Sequence, residues 1–149
     1  MRELVIDANL MIKLLNEEPD SEMAFEFFEY CHQNRVLFIA PELFEYEVIA
    51  VLTKAKVPLF EILSLLKVYE NDCLLLQKPT LDDWQFASKI CQDGNEKSGY
   101  PSMYDSIYQA MAINRNIQFI TADSRHFAKA SKHGNIALLE NWQSLFDEN

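Results

Sequence analysis

Apolar residues along the chain fall into two alternating patterns. Five short runs, at residues 3–6 (ELVI), 36–40 (VLFIA), 73–76 (CLLL), 117–121 (IQFIT) and 136–139 (IALL), are almost wholly apolar and too short for helices. Runs of that length suit strands covered on both faces, the condition of a parallel sheet. Between them, apolar residues recur at three- and four-residue spacing, which predicts helices over about 9–15, 21–34, 41–55, 59–70, 81–92, 104–114 and 124–131, with 140–146 closing the chain. Asp20 or Ser21, Pro41, Thr80 and Asp123 stand where helix starts are wanted. Strands alternating with helices imply an α/β sandwich of three layers around a mostly parallel sheet of about five strands.

Composition adds boundaries to this picture. At 149 residues, 49% hydrophobic, with three glycines and no repeat or low-complexity linker, the chain is expected to form one packed domain over 1–149. Cys31, Cys73 and Cys91 are odd in number and show no C-x-x-C spacing, so they read as buried thiols rather than a disulfide framework or a zinc site. Asp7 and Lys13 interrupt the apolar N-terminus, which makes it a poor signal peptide, and no apolar stretch approaches a membrane span. The expectation is a cytoplasmic protein without a membrane partner. A net charge of −10 argues against broad attraction to nucleic acid, although Arg125, His126, Lys129, Lys132 and His133 form a local basic cluster.

Candidate chemistry lies at the strand ends, because a parallel sheet binds ligands outside the carboxyl ends of its strands. Two runs end in or just before an aspartate: Leu4-Val5-Ile6-Asp7 and Phe119-Ile120-Thr121-Ala122-Asp123. Asp7 could equally be a helix N-cap, and Asp123 taken alone reads first as one. Glu47 is placed on the apolar stripe of its helix, with Leu43, Phe44, Ala50 and Val51 three and four residues away, so its carboxylate needs a proton, a cation or a buried ion pair with Lys13 or Lys54. Asp105 stands near a helix start, where aspartate serves the macrodipole. The signal is joint: carboxylates converging on one sheet edge repel each other and call for a divalent ion. All-oxygen ligands favour Mg²⁺ or Mn²⁺, which can polarise water and stabilise charge on a phosphodiester.

In this order and spacing the residues resemble the PIN domain, especially the VapC-type toxins of type II toxin–antitoxin systems. Leu4-Val5-Ile6-Asp7-Ala8-Asn9 looks like the first motif, Glu47-Val48-Ile49-Ala50-Val51-Leu52 like the second-acid helix, Asp105-Ser106-Ile107-Tyr108-Gln109-Ala110-Met111-Ala112 like the third, and Thr121-Ala122-Asp123 like the fourth. The resemblance implies a Mg²⁺- or Mn²⁺-dependent endoribonuclease. Asp7, Glu47, Asp105 and Asp123 would be its catalytic and metal-holding acids, with Asn9 and Thr121 in support. It also implies an RNA substrate, a cognate antitoxin and a homodimer. The family usually has Thr or Ser where this chain has Asn9; an amide can still orient a carboxylate or a metal-bound water.

Two other readings compete. An aspartate after the first strand also suits a haloacid-dehalogenase-like phosphatase, but that family wants a second aspartate at the position of Asn9. A PIN-like interaction module without catalysis is the other; the presence of all four acids speaks against it. Among the remaining features, Arg125 and His126 are candidate phosphate contacts, the alternative being a solvated surface cluster. Phe25, Phe27, Phe28 and Tyr30 read as core and dimer contacts rather than base-stacking platforms, and Tyr69, Trp84 and Trp142 as packing residues.

Overall fold

Why two loops come together in this protein follows from its strand order. The computed structural model describes residues 2–147. Its strands are β1 (Glu3–Ile6), β2 (Leu37–Pro41), β3 (Leu74–Gln77), β4 (Gln118–Thr121) and β5 (Ile136–Leu138). The helices are α1 (Ala8–Ile12), α2 (Ser21–Gln33), α3 (Leu43–Lys54), α4 (Leu59–Asp72), α5 (Leu81–Gln92), α6 (Met103–Arg115) and α7 (Ser124–Ala130), with 3-10 segments at Ser131–His133 and Leu139–Phe146. All strand pairs are parallel, in the order β3-β2-β1-β4-β5. The chain therefore builds outward from β1 to β3, then returns to the other side of β1. The carboxyl ends of β1 and β4 lie side by side at this reversal, the position at which open α/β sheets generally bind ligands in a crevice.

Register keeps the two ends level: Ile6 stands opposite Ile120, and the Asp7 amide donates to the Ile120 carbonyl at 3.0 Å. The three central strands, β1, β2 and β4, bury both faces, whereas the edge strands β3 and β5 are only partly covered. Leu4 and Phe38 are register partners, and Phe38 packs with Phe27 and Phe28 of α2. Tyr69 of α4 lies edge-on to Phe28, and Trp142 packs on Phe27. Val5 and Phe119 are partners on the opposite face, where Tyr108 of α6 stacks on Phe119. Helices on both faces of a parallel sheet give the three-layer α/β/α arrangement expected from the apolar pattern.

Several local expectations shift. Pro41 ends β2 instead of opening α3; a strand's last residue can do without the amide that proline lacks, and the ladder continues through the Glu42 amide to Gln77. The segment after α7 and β5 closes in 3-10 turns, and α1 stops at Ile12. Phe25 and Trp84, read as packing residues, are exposed. Cys31 is buried as expected, but Cys73 and Cys91 are only half-buried, and all three thiols are free. Among the described residues no helix is long and apolar enough to cross a membrane.

Candidate active site

Asp7 is the hub of the crevice. It leaves β1 in extended conformation (φ −78°, ψ 147°) and caps α1, its Oδ1 accepting the Asn9 amide at 3.3 Å. Its Oδ2 accepts the Thr121 hydroxyl of β4 at 2.8 Å. Thr121 is fully buried, and its oxygen in turn accepts the Asp123 amide at 3.0 Å and the Asn9 side-chain amide at 3.4 Å. A hydroxyl has one proton and two lone pairs, so Thr121 is fully used. Asn9 completes the clasp by accepting the Ala122 amide at 3.3 Å. The polar groups at the ends of β1 and β4 are thereby cross-braced before any ligand arrives.

Asp123 caps α7, its Oδ1 accepting the amides of Arg125 (3.0 Å) and His126 (3.1 Å). Asp105 lies in the first turn of α6. Ser102 caps that helix, taking the Asp105 amide at 3.1 Å and donating its hydroxyl to Asp105 Oδ2 at 3.0 Å. The N-cap alternative thus holds for Asp7 and Asp123 as a geometric fact, and capping occupies only part of each carboxylate's acceptor capacity.

Glu47 departs from its expected setting. Phe44, Val48 and Leu52 form the buried face of α3, whereas Ala50 and Val51 are exposed, so Glu47 sits half-buried at the stripe's edge. Its partner is not a lysine. Lys13 is occupied by Glu18 (3.1 Å) and Asp20 (3.0 Å), and Lys54 is exposed. The Tyr108 hydroxyl donates to Glu47 Oε1 at 2.7 Å instead. Tyr108 lies three residues beyond Asp105, hence on the same face of α6, and that spacing is a usable signal in the sequence.

Electrostatics ties the acids together. Burial pushes Asp7 up to about 7; the charges of Asp105 and Glu47 push the same way, and the Thr121 hydrogen bond opposes them. Glu47 is raised by burial, against the Tyr108 hydrogen bond, and further by the charge of Asp105. Burial and the charges of Asp7 and Glu47 also hold the Tyr108 hydroxyl firmly protonated, fixing it as a donor. Asp105 and Asp123 both act on the imidazole of His126. Asp7, Glu47 and Asp105 are thus within electrostatic reach of one another, Asp123 shares the His126 imidazole with Asp105, and no basic side chain forms an ion pair with any of the four among the described residues.

A protein-family model for the PIN domain matches residues 4–133, a span that contains every one of these acids. The chain belongs to the PIN domain family. No curated protein sequence matches it. The chain is similar in structure to the VapBC2 complex of Rickettsia felis bound to a promoter DNA fragment, with a TM-score of 0.67, 16% identity, and 91% of this chain and 96% of that one covered. VapC20 of Mycobacterium tuberculosis, a toxin that cleaves the sarcin-ricin loop, gives a TM-score of 0.67 at 12% identity over 84% and 93%. FitAcB of Neisseria gonorrhoeae gives 0.60 at 14% identity over 91% and 95%. At such identities these likenesses speak for the PIN fold. Membership in the PIN family also sets aside the haloacid-dehalogenase-like alternative.

One candidate of this PIN domain is corrected by its surroundings. His126 is 3% exposed and points inward, so it has no open face for a phosphate. Its Nε2 meets Gln109 Oε1 at 2.8 Å, and Gln109 Nε2 is committed to the carbonyls of Ala130 and Gly134, both at 2.9 Å. With only the oxygen of Gln109 left to face the ring, His126 carries its proton on Nε2. Burial lowers the imidazole pKa and favours the neutral ring. Arg125, by contrast, is exposed on α7.

Proposed function

We propose that this PIN domain is a divalent-metal-dependent endoribonuclease and the toxin of a type II toxin–antitoxin pair. The observation that carries the reading is the uncompensated carboxylate group at the β1/β4 reversal, with Asp7 buried against Thr121 while Asp105 and Glu47 bear on it electrostatically. The toxin role is supported by family membership and by the likeness to VapC20, a sarcin-ricin loop cleaving toxin.

Asp7, Glu47, Asp105 and Asp123 are the residues that would hold the ion. Their oxygen-only chemistry fits Mg²⁺ or Mn²⁺. Among the described residues no three acidic, histidine or cysteine side chains stand close enough to enclose an ion by themselves. Mg²⁺ usually keeps several waters and takes one or two carboxylates directly, so the four acids need not all touch it. When bound, such an ion supplies charge neutralisation at a phosphodiester and a water of lowered pKa. The chain's own groups supply order. Thr121 and Asn9 hold the Asp7 carboxylate in one rotamer, Tyr108 anchors Glu47, and Ser102 anchors Asp105. Hydrolysis adds water across one P–O bond, the attacking water losing a proton to a site carboxylate and the leaving oxygen gaining one. An antitoxin covering the crevice and a homodimeric, cytoplasmic toxin complete the proposal by family analogy.

Purified protein incubated with total RNA provides the test. Cleavage with Mg²⁺ or Mn²⁺, none with EDTA, and none from folded Asp7→Asn or Asp105→Asn is the expected result. Intact RNA in every lane, with the fold verified by circular dichroism, would instead make the domain a PIN-like interaction module.

A further inference from the structure

Beside the acidic crevice, the loop at 93–100 and helix α7 enclose an open cleft of about 580 Å³. Arg125, Lys129 and Lys132 all line it, in a chain that carries 13 basic residues against 23 acidic ones. The three cations are not equivalent. Lys132 is held by Asp93 at 2.9 Å, which also faces His133 at 3.0 Å, so that corner of the cleft is internally neutralised. Arg125 and Lys129 form no ion pair among the described residues. They are four residues apart on one helix, which sets their Cβ atoms roughly 5–6 Å from each other on the same face.

The loop opposite faces them. Gly99 has φ +87°, a conformation that disfavours any side chain, and Lys129 Nζ lies 3.4 Å from where a Cβ would stand, an ordinary contact distance. Asn95 Oδ1 accepts the Ser98 amide at 2.7 Å, which turns the asparagine's own amide donor and the Ser98 hydroxyl into the remaining polar groups of that wall. The cleft also adjoins the acids. The Arg125 amide is bonded to Asp123, while Lys129, Asp105 and Asp123 all act on the same imidazole, that of His126.

We infer that the cleft between α7 and the 93–100 loop, with Arg125 and Lys129 as its two free cations, is a binding track for the phosphate backbone of single-stranded RNA leading to the acidic crevice. The inference rests on the nuclease reading for its direction toward the acids, but not for binding itself. It also answers the objection raised by the net charge: a chain at −10 repels a polyanion over most of its surface, so attraction concentrated in one cleft selects where the strand lies. Backbone contacts of this kind position a strand without reading its bases.

The experiment is fluorescence anisotropy with a short fluorescein-labelled oligouridylate, in EDTA, over a series of salt concentrations. Wild type is compared with Arg125→Gln/Lys129→Gln and with a control, Arg35→Gln/Lys67→Gln, which removes two exposed cations outside the cleft. Each single-strand phosphate neutralised contributes about −0.7 to the slope of log K against log salt, so losing both cleft cations flattens it by about 1.4. The control leaves affinity and slope as in wild type. Equal affinity and slope in wild type and the cleft variant, or no binding by wild type at low salt, overturns the inference. The two readings separate in the same preparations. RNA cleaved with Mn²⁺ but bound identically by the cleft variant defeats the track and keeps the nuclease. RNA bound through the cleft but left intact with Mn²⁺ does the reverse.

Discussion

Replacing Asp7 by asparagine should make the metal-free protein progressively more stable relative to wild type as pH rises. The folded carboxyl titrates near 7 against 3.8 for its ordinary value, because burial and the charges of Asp105 and Glu47 disfavour ionisation. For an acid with a raised folded pKa, the native state binds more protons than the unfolded chain across the interval. Stability is therefore complete below about pH 4, falls as pH rises through the interval, and levels off above 7. At roughly 1.4 kcal/mol per pH unit the full effect is about 4 kcal/mol, and the part between pH 5.5 and 8 is about 2 kcal/mol. In the variant the new side chain retains a carbonyl for the Asn9 amide, but its NH₂ group faces a Thr121 hydroxyl already accepting from Asp123 and Asn9, a cost of about 1–3 kcal/mol. That cost is independent of pH, so the slope isolates the titration. Urea unfolding of both proteins in EDTA at pH 5.5, 6.5, 7.5 and 8 measures it. The difference in stability, variant minus wild type, should grow by about 2 kcal/mol across the series; a flat difference would refute the assignment of a strained, uncompensated carboxylate to Asp7. Excess Mn²⁺ should also raise the wild-type stability, by about 2.7 kcal/mol at a hundred times its dissociation constant, and leave Asp7→Asn unmoved.

Three further substitutions probe the bracing around the site. Thr121→Val removes the donor to Asp7 and the acceptor for the Asp123 amide, and should cost about 2–4 kcal/mol by urea unfolding while lowering RNA cleavage; a loss below about 0.5 kcal/mol would contradict the clasp. Tyr108→Phe frees Glu47 Oε1, so Glu47 should titrate at still higher pH in carboxyl-resolved NMR at a stability cost of about 1 kcal/mol; an unmoved Glu47 would show the hydrogen bond to be idle. Gln109→Leu strands the carbonyls of Ala130 and Gly134 and the His126 ring proton in the interior, and should cost at least about 2 kcal/mol, with ring ¹⁵N shifts reporting loss of the fixed His126 tautomer.

The periodicity of the sequence carries most of the fold, because strands covered on both faces must be continuously apolar and the five runs leave little choice of assignment. It carries less where tertiary pairing decides. Pro41 looks like a helix start but ends β2, since the ladder resumes at Glu42, a fact of register that no local pattern records. Asp7 and Asp123 are legible as strand-end acids, although their joint use of Thr121 depends on β1 and β4 being neighbours despite the long separation in sequence. Counting neighbours on a helix overstates the burial of Glu47, because the exposed Ala50 and Val51 are apolar without being core. His126 misleads for the opposite reason: within a basic cluster it looks solvent-facing, yet the inward face of α7 and the buried Gln109 claim its ring.

The central claim is that Asp7, Glu47, Asp105 and Asp123 act as one cation site, and Mn²⁺ titration followed by electron paramagnetic resonance tests it most directly. Wild type should take up Mn²⁺ at a specific site that Mg²⁺ displaces and that weakens as pH falls through about 7, because Asp7 must ionise to bind. Asp7→Asn and Asp105→Asn should each lose that site while remaining folded. Mn²⁺ uptake indistinguishable among wild type and both variants would contradict the account.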